Sequence, residues 1–126
     1  MIYLENYIGG ELLEPLSGNF LDNCDPSKGI VYSKTPDSDN TDVQAAVSAA
    51  KSAFKSWSET PKDERSKILV KLADLIADNL ESLAKAESID NGKPFSLAKK
   101  VDIPRAASNI RFYATAILHF SSESHA

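Results

Sequence analysis

The sequence contains one thiol, Cys24, and two imidazoles, His119 and His125, whose chemistry could serve catalysis or metal binding. Cys24 stands beside Asp25-Pro26 in a predicted turn, and no histidine lies near it in sequence to take its proton. We expect a small, half-buried structural residue there. The two histidines lack the spacing of metal ligands, and we expect both on the solvated surface. Since glycine-rich phosphate loops are also missing, the residues predict no self-contained active site.

Residues 87–105, ESIDNGKPFSLAKKVDIPR, contain residues that typically end a helix, followed by a permanently charged arginine. Gly92 is expected in the left-handed conformation that ends a helix, with Lys93 facing the negative end of the helix dipole and Pro94 preventing continuation. Arg105 falls in the first turn of the next predicted helix. Its guanidinium stays charged and can bind a carboxylate through two parallel hydrogen bonds. An ordinary salt bridge is the alternative interpretation of Arg105.

Composition and charge are those of an ordinary globular chain. The 126 residues are 42% hydrophobic and 25% charged, with a formal net charge of −4 and a pI near 5.1. This balance gives no electrostatic reason to expect nucleic acid or an anionic membrane as a partner. No apolar run approaches the roughly 20 residues that span a bilayer, and no secretory signal is visible. A single cysteine fits a reducing compartment, so we expect a cytoplasmic location.

The periodicity of the chain changes near residue 36. Residues 1–36 contain short apolar runs between Gly, Pro, Asn and Asp turns, which predicts β-hairpins around Gly9-Gly10 and around the segment from Asp25 to Gly29. Residues 37–126 have helical periodicity. The sequence therefore predicts an α+β fold, in which short N-terminal β-hairpins precede three to four amphipathic helices.

Capping residues and apolar stripes place the helices. The first is expected from Thr41 to Ser58, with Thr41 and Gln44 forming a capping box. The second begins at Thr60-Pro61, and Asn79 marks a break within it. The expected buried residues are Val43, Val47, Ala50, Phe54 and Trp57 in the first helix, and Ile68, Leu69, Leu72, Leu75, Ile76, Leu80 and Leu83 in the second.

The last helix is expected from about Val101 to Phe120. Asp102 stands near its predicted N-cap, and Pro104 lies in its first turn, where a proline costs least.

A series of motifs occurs in the order and at the spacing found in the N-terminal segment of NAD(P)-dependent aldehyde dehydrogenases, which this sequence resembles over nearly its whole length. The motifs are Tyr7-Ile8-Gly9-Gly10, Asp25-Pro26-Ser27-Lys28-Gly29, Asp42-Val43 with the AAVSAAKSAFKSWS helix, Pro61 to Ser66, Leu72 to Ile76, Asp90 to Pro94, and Arg111-Phe112-Tyr113-Ala114. The resemblance implies the N-terminal part of the α/β aldehyde dehydrogenase fold. Residues 1–36 and 37–126 together would then form one partial domain.

The resemblance also implies roles for particular residues. In family members with a monovalent cation site, a carboxylate at the Asp90 position and a backbone carbonyl at the Asn23 position are ligands. The alternative for Asp90 is a helix-end side chain that bonds the turn backbone. The helix after Gly92-Lys93-Pro94 lines the aldehyde entrance in these enzymes. The string Asp102-Ile103-Pro104-Arg105 is similar to the branch acting on 2-aminomuconic and 2-hydroxymuconic semialdehydes, where an arginine binds the substrate carboxylate.

The resemblance also implies that the catalytic and cofactor-binding residues belong to other segments of the enzyme. Aldehyde oxidation needs a nucleophilic cysteine, a general-base glutamate, an oxyanion-hole asparagine and a nucleotide loop for NAD or NADP. The resemblance assigns all of these to sequence beyond residue 126, and Cys24 does not match the nucleophile motif. We therefore expect no catalytic residue and no bound cofactor in this chain, and no aldehyde oxidation by the chain alone.

The expected partners are the remainder of an aldehyde dehydrogenase chain and a small-molecule aldehyde, a carboxylate-bearing semialdehyde in particular. The family implies a homo-oligomer, and no nucleic-acid or membrane partner is expected. A second class of function stays open, in which the same scaffold serves as a non-catalytic binding or structural module. An in-frame continuation with a glycine-rich loop and a cysteine motif would favour the enzyme, and a stop codon would favour the module.

Overall fold

The computed structural model describes residues 1–121, and within them five short strands precede the helices. The chain divides into two compact units, residues 1–59 and 60–126. The first contains every described strand together with the first long helix, and the second is helical as far as it is described. The predicted α+β fold is thus confirmed. None of the described helices is long and apolar enough to cross a membrane.

Two small sheets carry the strands of the first unit. The strands β1 (Ile2–Tyr3), β4 (Phe20–Asp25) and β5 (Ile30–Pro36) form one sheet in the order β1-β5-β4, in which β1 runs parallel and β4 antiparallel to β5. The strands β2 (Asn6–Ile8) and β3 (Glu11–Leu13) form an antiparallel hairpin. The sequence did not predict β1, because two residues are too few to show a period.

Both predicted hairpins are present, and their turns explain the residues found there. Gly9 and Gly10 have φ angles of 64° and 93°, as a tight two-residue turn requires. In the other turn Asp25 is buried, and its Oδ1 accepts hydrogen bonds from the amide (2.9 Å) and the hydroxyl (2.6 Å) of Ser27. Lys28 Nζ lies 3.1 Å from the second carboxylate oxygen. The Ser27 hydroxyl is the main cause of the lowered pKa of Asp25.

The first helix, α1 (Asn40–Glu59), begins with a capping box that the sequence did not predict. Asp39 Oδ1 accepts hydrogen bonds from the amides of Thr41 (2.7 Å) and Asp42 (3.4 Å). Asp42 Oδ2 accepts one from the Asp39 amide at 3.0 Å. Carboxylates therefore occupy both positions of the reciprocal box. The predicted box of Thr41 and Gln44 is wrong, because Asp39 offers a stronger acceptor two residues earlier.

The second unit begins with α2 (Lys62–Asp78) and α3 (Leu80–Asn91). The predicted break at Asn79 is confirmed, and so is the C-cap, where Gly92 has a left-handed φ of 78°. Pro61 is the N-cap of α2 rather than its first helical residue, since its ψ of 143° is extended. The predicted cap at Thr60 is therefore one residue too early.

A single helical run completes the second unit. It consists of α4 (Phe95–Leu97), a π-helical turn (Ala98–Asp102) and α5 (Ile103–His119). The amide of Ile103 donates to the carbonyl of Ala98, five residues back. Pro104 explains this widening, because it has no amide to donate and its ring crowds the carbonyl four residues back in a regular α-helix. The predicted helix from about Val101 to Phe120, with Asp102 near its cap and Pro104 in its first turn, is confirmed as α5, whose N-cap is Asp102. The π-helical turn that joins it to α4 was not predicted.

Apart from Pro15, the apolar residues that are buried in the described part of the chain are all alanines. They are Ala73, Ala84, Ala98, Ala107 and Ala114. Most of the predicted core is exposed instead, namely Val43, Val47, Ala50, Phe54, Trp57, Ile68, Leu72, Leu75 and Leu83, while Leu69, Ile76 and Leu80 are half-buried. The helical period identified apolar faces, but residues 1–121 provide too little chain to cover them.

One of these faces forms an apolar concavity of about 460 Å³ on the second unit. It is lined by Leu69, Tyr113, Ala116, Ile117 and Phe120. Phe120 is 72% exposed and Tyr113 is 67% exposed. Contiguous apolar surface of this kind marks a contact surface, because a stable soluble protein normally covers it.

Replacing Gly92 by Val is expected to lower the free energy of unfolding of the chain by about 1 kcal/mol or more, because a β-branched residue is strained at a left-handed φ. Gly92→Asn is the matched control and should cost less, since Asn tolerates this conformation. Urea unfolding followed by circular dichroism measures both. Equal losses for the two variants would mean that the left-handed C-cap does not limit the choice of residue.

The isolated chain is expected to bind a dye that fluoresces on apolar surfaces, and Phe120→Ser should reduce that fluorescence. The substitution removes an exposed ring from the concavity, so it should change the free energy of unfolding by no more than about 0.5 kcal/mol. Lys71→Ser, an exposed polar site on α2, is the control and should leave dye binding unchanged. A cooperative thermal transition with no dye binding by the unmodified chain would contradict the exposure of these faces.

Candidate functional site

Arg105, the predicted substrate-binding residue, lies in the first turn of α5 with an exposed side chain. Its guanidinium forms no hydrogen bond or ion pair with any of residues 1–121. Two other cations of the same unit contrast with it, because Arg111 pairs with Asp74 and Lys99 pairs with Glu81. The alternative of an internal salt bridge is therefore not formed by the described chain. The guanidinium is open to an anion from outside.

A groove of about 570 Å³ on the second unit is lined in part by residues of α5 that are close to Arg105 in sequence, while Arg105 itself does not line it. It is lined by Ala77, Pro104, Ala107, Ser108, Arg111, Phe112 and Thr115. Residues three and seven positions apart share a helix face, so Arg105 lies on the side of α5 that carries Ser108 and Phe112. The Ser108 hydroxyl donates to the Arg105 carbonyl at 3.0 Å. Small and apolar side chains thus adjoin one unpaired cation, an arrangement that suits a small ligand with an apolar body and an anionic end.

The turn that leads to α5 is held by ion pairs around Lys93. Lys93 Nζ lies 2.7 Å from Asp102 Oδ2 and 3.1 Å from Glu87 Oε1. These two carboxylates, Asp102 first, raise the pKa of Lys93. The sequence predicted that Lys93 would face the dipole of the helix that ends at Gly92. Its ammonium instead joins α3 to the π-helical turn, a pairing across nine residues that no local pattern indicates.

The two predicted cation ligands belong to different compact units. Asn23 lies in β4, where the register shifts between Asn23 and Cys24, and its Nδ2 donates to the Tyr32 hydroxyl at 3.0 Å. Asp90 lies in the last turn of α3 and is exposed. No group of three or more His, Cys, Asp and Glu side chains that could hold a metal ion occurs within residues 1–121. The cation site stays a prediction.

The thiol and the imidazoles are not brought together by the described chain. Cys24 lies within β4 and is exposed, so the expectation of a half-buried turn residue is wrong: the strand continues through Asp25 before the turn begins. His119 is the last residue of α5 and is exposed, as expected. His125 lies outside the described residues.

Comparison with known proteins identifies the scaffold. The aldehyde dehydrogenase family matches residues 14–126. The 2-aminomuconic semialdehyde dehydrogenase of Bos taurus is 50% identical over 98% of this chain and 25% of its own length, and that of Danio rerio is 51% identical over 97% and 25%. An indole-3-acetaldehyde dehydrogenase solved with NAD+ has 34% identity and a TM-score of 0.94, covering 100% of this chain and 26% of its own.

The matches cover this chain almost completely but only part of each relative. The chain spans about a quarter of the length of the curated relatives that it matches. Within that quarter both the sequence and the fold agree with the family, as the ordered motifs predicted. This chain belongs to the aldehyde dehydrogenase family.

Proposed function

We propose that this chain forms the N-terminal part of an enzyme that oxidises a carboxylate-bearing semialdehyde to the acid with NAD or NADP. The observation that carries the proposal is the exposed guanidinium of Arg105, which has no partner among residues 1–121. It occurs in a segment about half identical to two 2-aminomuconic semialdehyde dehydrogenases. A semialdehyde of that kind has a reactive carbonyl at one end and a carboxylate at the other, so a fixed cation at the carboxylate end orients the carbonyl.

The geometry beside Arg105 supports this assignment. A guanidinium offers two parallel donors to a carboxylate. The neighbouring groove presents Pro104, Ala107 and Phe112, which can contact the hydrocarbon part of the substrate. A pair with an exposed arginine contributes little in water. The proposal therefore needs the rest of the enzyme to cover Arg105 and exclude solvent, which strengthens the interaction.

This chain has no glycine-rich loop for the phosphates of the cofactor. NAD or NADP would accept the hydride from the aldehyde carbon, and its phosphates need amide donors at a helix start or a glycine-rich loop. All five glycines lie in turns or at a helix end, namely Gly9, Gly10, Gly18, Gly29 and Gly92. We therefore assign no cofactor contact and no catalytic step to this chain. The nucleophile and the nucleotide site would come from the rest of the enzyme.

The rest of the aldehyde dehydrogenase chain is the proposed partner of the exposed apolar faces. The chain covers 25% of the length of its relatives. Most of the large apolar side chains of α1, α2 and α5 are exposed in it, and covering them would be favourable by about 25 cal/mol for each Å² removed from water. A homo-oligomeric assembly and a cytoplasmic location stay predictions, which rest on the family resemblance and on the composition.

Arg105→Ala is expected to reduce selectivity for acidic aldehydes. The test uses a chimeric enzyme, the bovine relative with its matched segment replaced by this chain, and two substrates of equal length, 6-oxohexanoate and hexanal. The ratio of kcat/KM for the acid over the neutral aldehyde should fall at least roughly 30-fold, which corresponds to about 2 kcal/mol for a carboxylate that loses its bidentate partner. Arg105→Lys should give an intermediate ratio, because it keeps the charge but loses the fork.

Lys67→Ala is the control at a paired cation that does not line the groove. Lys67 Nζ lies 3.9 Å from Asp63 Oδ2 on α2, so its loss should affect both substrates alike. If Arg105→Ala also changes both substrates equally, or neither, Arg105 is structural and the semialdehyde assignment fails. Membership of the family does not depend on that result.

A monovalent cation site is a further part of the proposal, with the Asp90 carboxylate as one ligand. Its support is the family resemblance, in which this position contributes a ligand. Asp90→Ala should abolish the difference in Tm of the chimeric enzyme between sodium chloride and choline chloride, since ligand binding stabilises the folded state by mass action. Asp78→Ala, at the end of α2, is the control. A sodium effect that survives in Asp90→Ala would exclude Asp90 as a ligand.

A further inference from the structure

The direction of Arg105 depends on the π-helical turn that precedes it. A π-helical turn inserts one extra residue into the hydrogen-bonding pattern, which rotates all later side chains by about 100° around the helix axis. Pro104 disfavours a regular α-helix through this region, but it is equally compatible with a break before α5. Another interaction must therefore keep Phe95 to His119 as one continuous run.

Lys93 supplies that interaction. Its Nζ contacts Glu87 in α3 and Asp102, the last residue of the π-helical turn. The backbone of Lys93 is fixed as well, since its amide donates to Asn91 Oδ1 at 3.0 Å and its carbonyl accepts from the Ser88 hydroxyl at 2.7 Å. The ammonium thus extends from a rigid helix end to the turn. Asp102 stands three residues before Arg105, one helical turn away along the run.

The cluster differs from an ordinary surface ion pair. The side chains of Lys93, Asp102 and Glu87 are 28%, 31% and 38% exposed. Glu87 Oε1 also accepts a hydrogen bond from Asn91 Nδ2 at 2.6 Å. One ammonium therefore separates two partly buried carboxylates. Removing it would leave those carboxylates without their shared cation and would release the turn from α3.

We propose that Lys93 is a positioning residue for Arg105: its ion pairs with Glu87 and Asp102 hold the π-helical turn, and the turn directs Arg105 towards the carboxylate of the substrate. This proposal rests on the proposed function of Arg105. Lys93 does not touch the substrate. Its effect on selectivity is exerted through the orientation of α5.

The test combines Lys93→Met with Arg105→Ala in the chimeric enzyme. Lys93→Met keeps the length of the side chain and removes its charge, and it should lower the kcat/KM ratio of 6-oxohexanoate over hexanal by about tenfold, chiefly through KM for the acid. Lys93→Arg should retain most of the ratio. Lys100→Met is the control, because Lys100 lies in the same turn and forms no ion pair with the described residues. The double variant should have the ratio of Arg105→Ala alone, since coupled residues are not additive.

Hydrogen exchange of the Ile103 amide gives an independent readout without substrate. This amide makes the π-helical bond to Ala98, and its exchange should accelerate in Lys93→Met but not in Lys100→Met. Asp102→Asn weakens the same pair from the other side and should reproduce both effects, which covers the case in which Lys93→Met fails to fold.

The outcomes separate this proposal from the function on which it rests. If Arg105→Ala lowers the ratio and Lys93→Met does not, the positioning role is overturned and the proposed function stands. Losses that are additive, or equal for the two aldehydes, also overturn it. If Arg105→Ala leaves the ratio unchanged, the proposed function fails and the positioning role fails with it, even where the Ile103 amide exchanges faster.

Discussion

The close packing of α2 against α5 through small side chains is the constraint on which the second unit depends. The buried residues on these two helices are Ser66 and Ala73 on α2, and Ala107 and Ala114 on α5. Small residues let two helix axes approach closely, and the larger apolar side chains then flank the contact instead of filling it. The same geometry that fixes α5, and Arg105 with it, leaves Tyr113 and Phe120 exposed. A chain with so small a core can be only marginally stable by itself.

Local signals in the sequence were sufficient for the turns and for most helix ends. Gly92 and Asn79 were identified because a left-handed cap and a helix break depend on a few adjacent residues. The π-helical turn before α5 was not predicted, because Pro104 looks like the first turn of a separate helix unless the preceding turn can widen. The capping box was misplaced by two residues since Thr, Asn and Asp all occur there and all can cap.

Burial was the least predictable property, for a physical reason. Periodicity reports which face of a helix is apolar, and it contains no information on whether the covering element belongs to the same 121 residues. Phe54 and Trp57 obey the helical spacing and are exposed. The candidate functional site was also difficult to predict from local sequence. The substrate-binding role predicted for Arg105 came from the family resemblance. The ion pairs from Lys93 to Glu87 and Asp102 were not predicted, because they link residues too far apart in sequence for any local rule.

If this chain is one segment of an aldehyde-oxidising enzyme, joining it to the rest of such an enzyme should produce NADH. Three samples given an aldehyde and NAD+ would be compared by ultraviolet absorbance: the isolated chain, the bovine relative without its matched segment, and the chimera that joins the two. We expect NADH from the chimera alone. Turnover by the isolated chain, or a folded chimera that forms no NADH from any aldehyde, would contradict it.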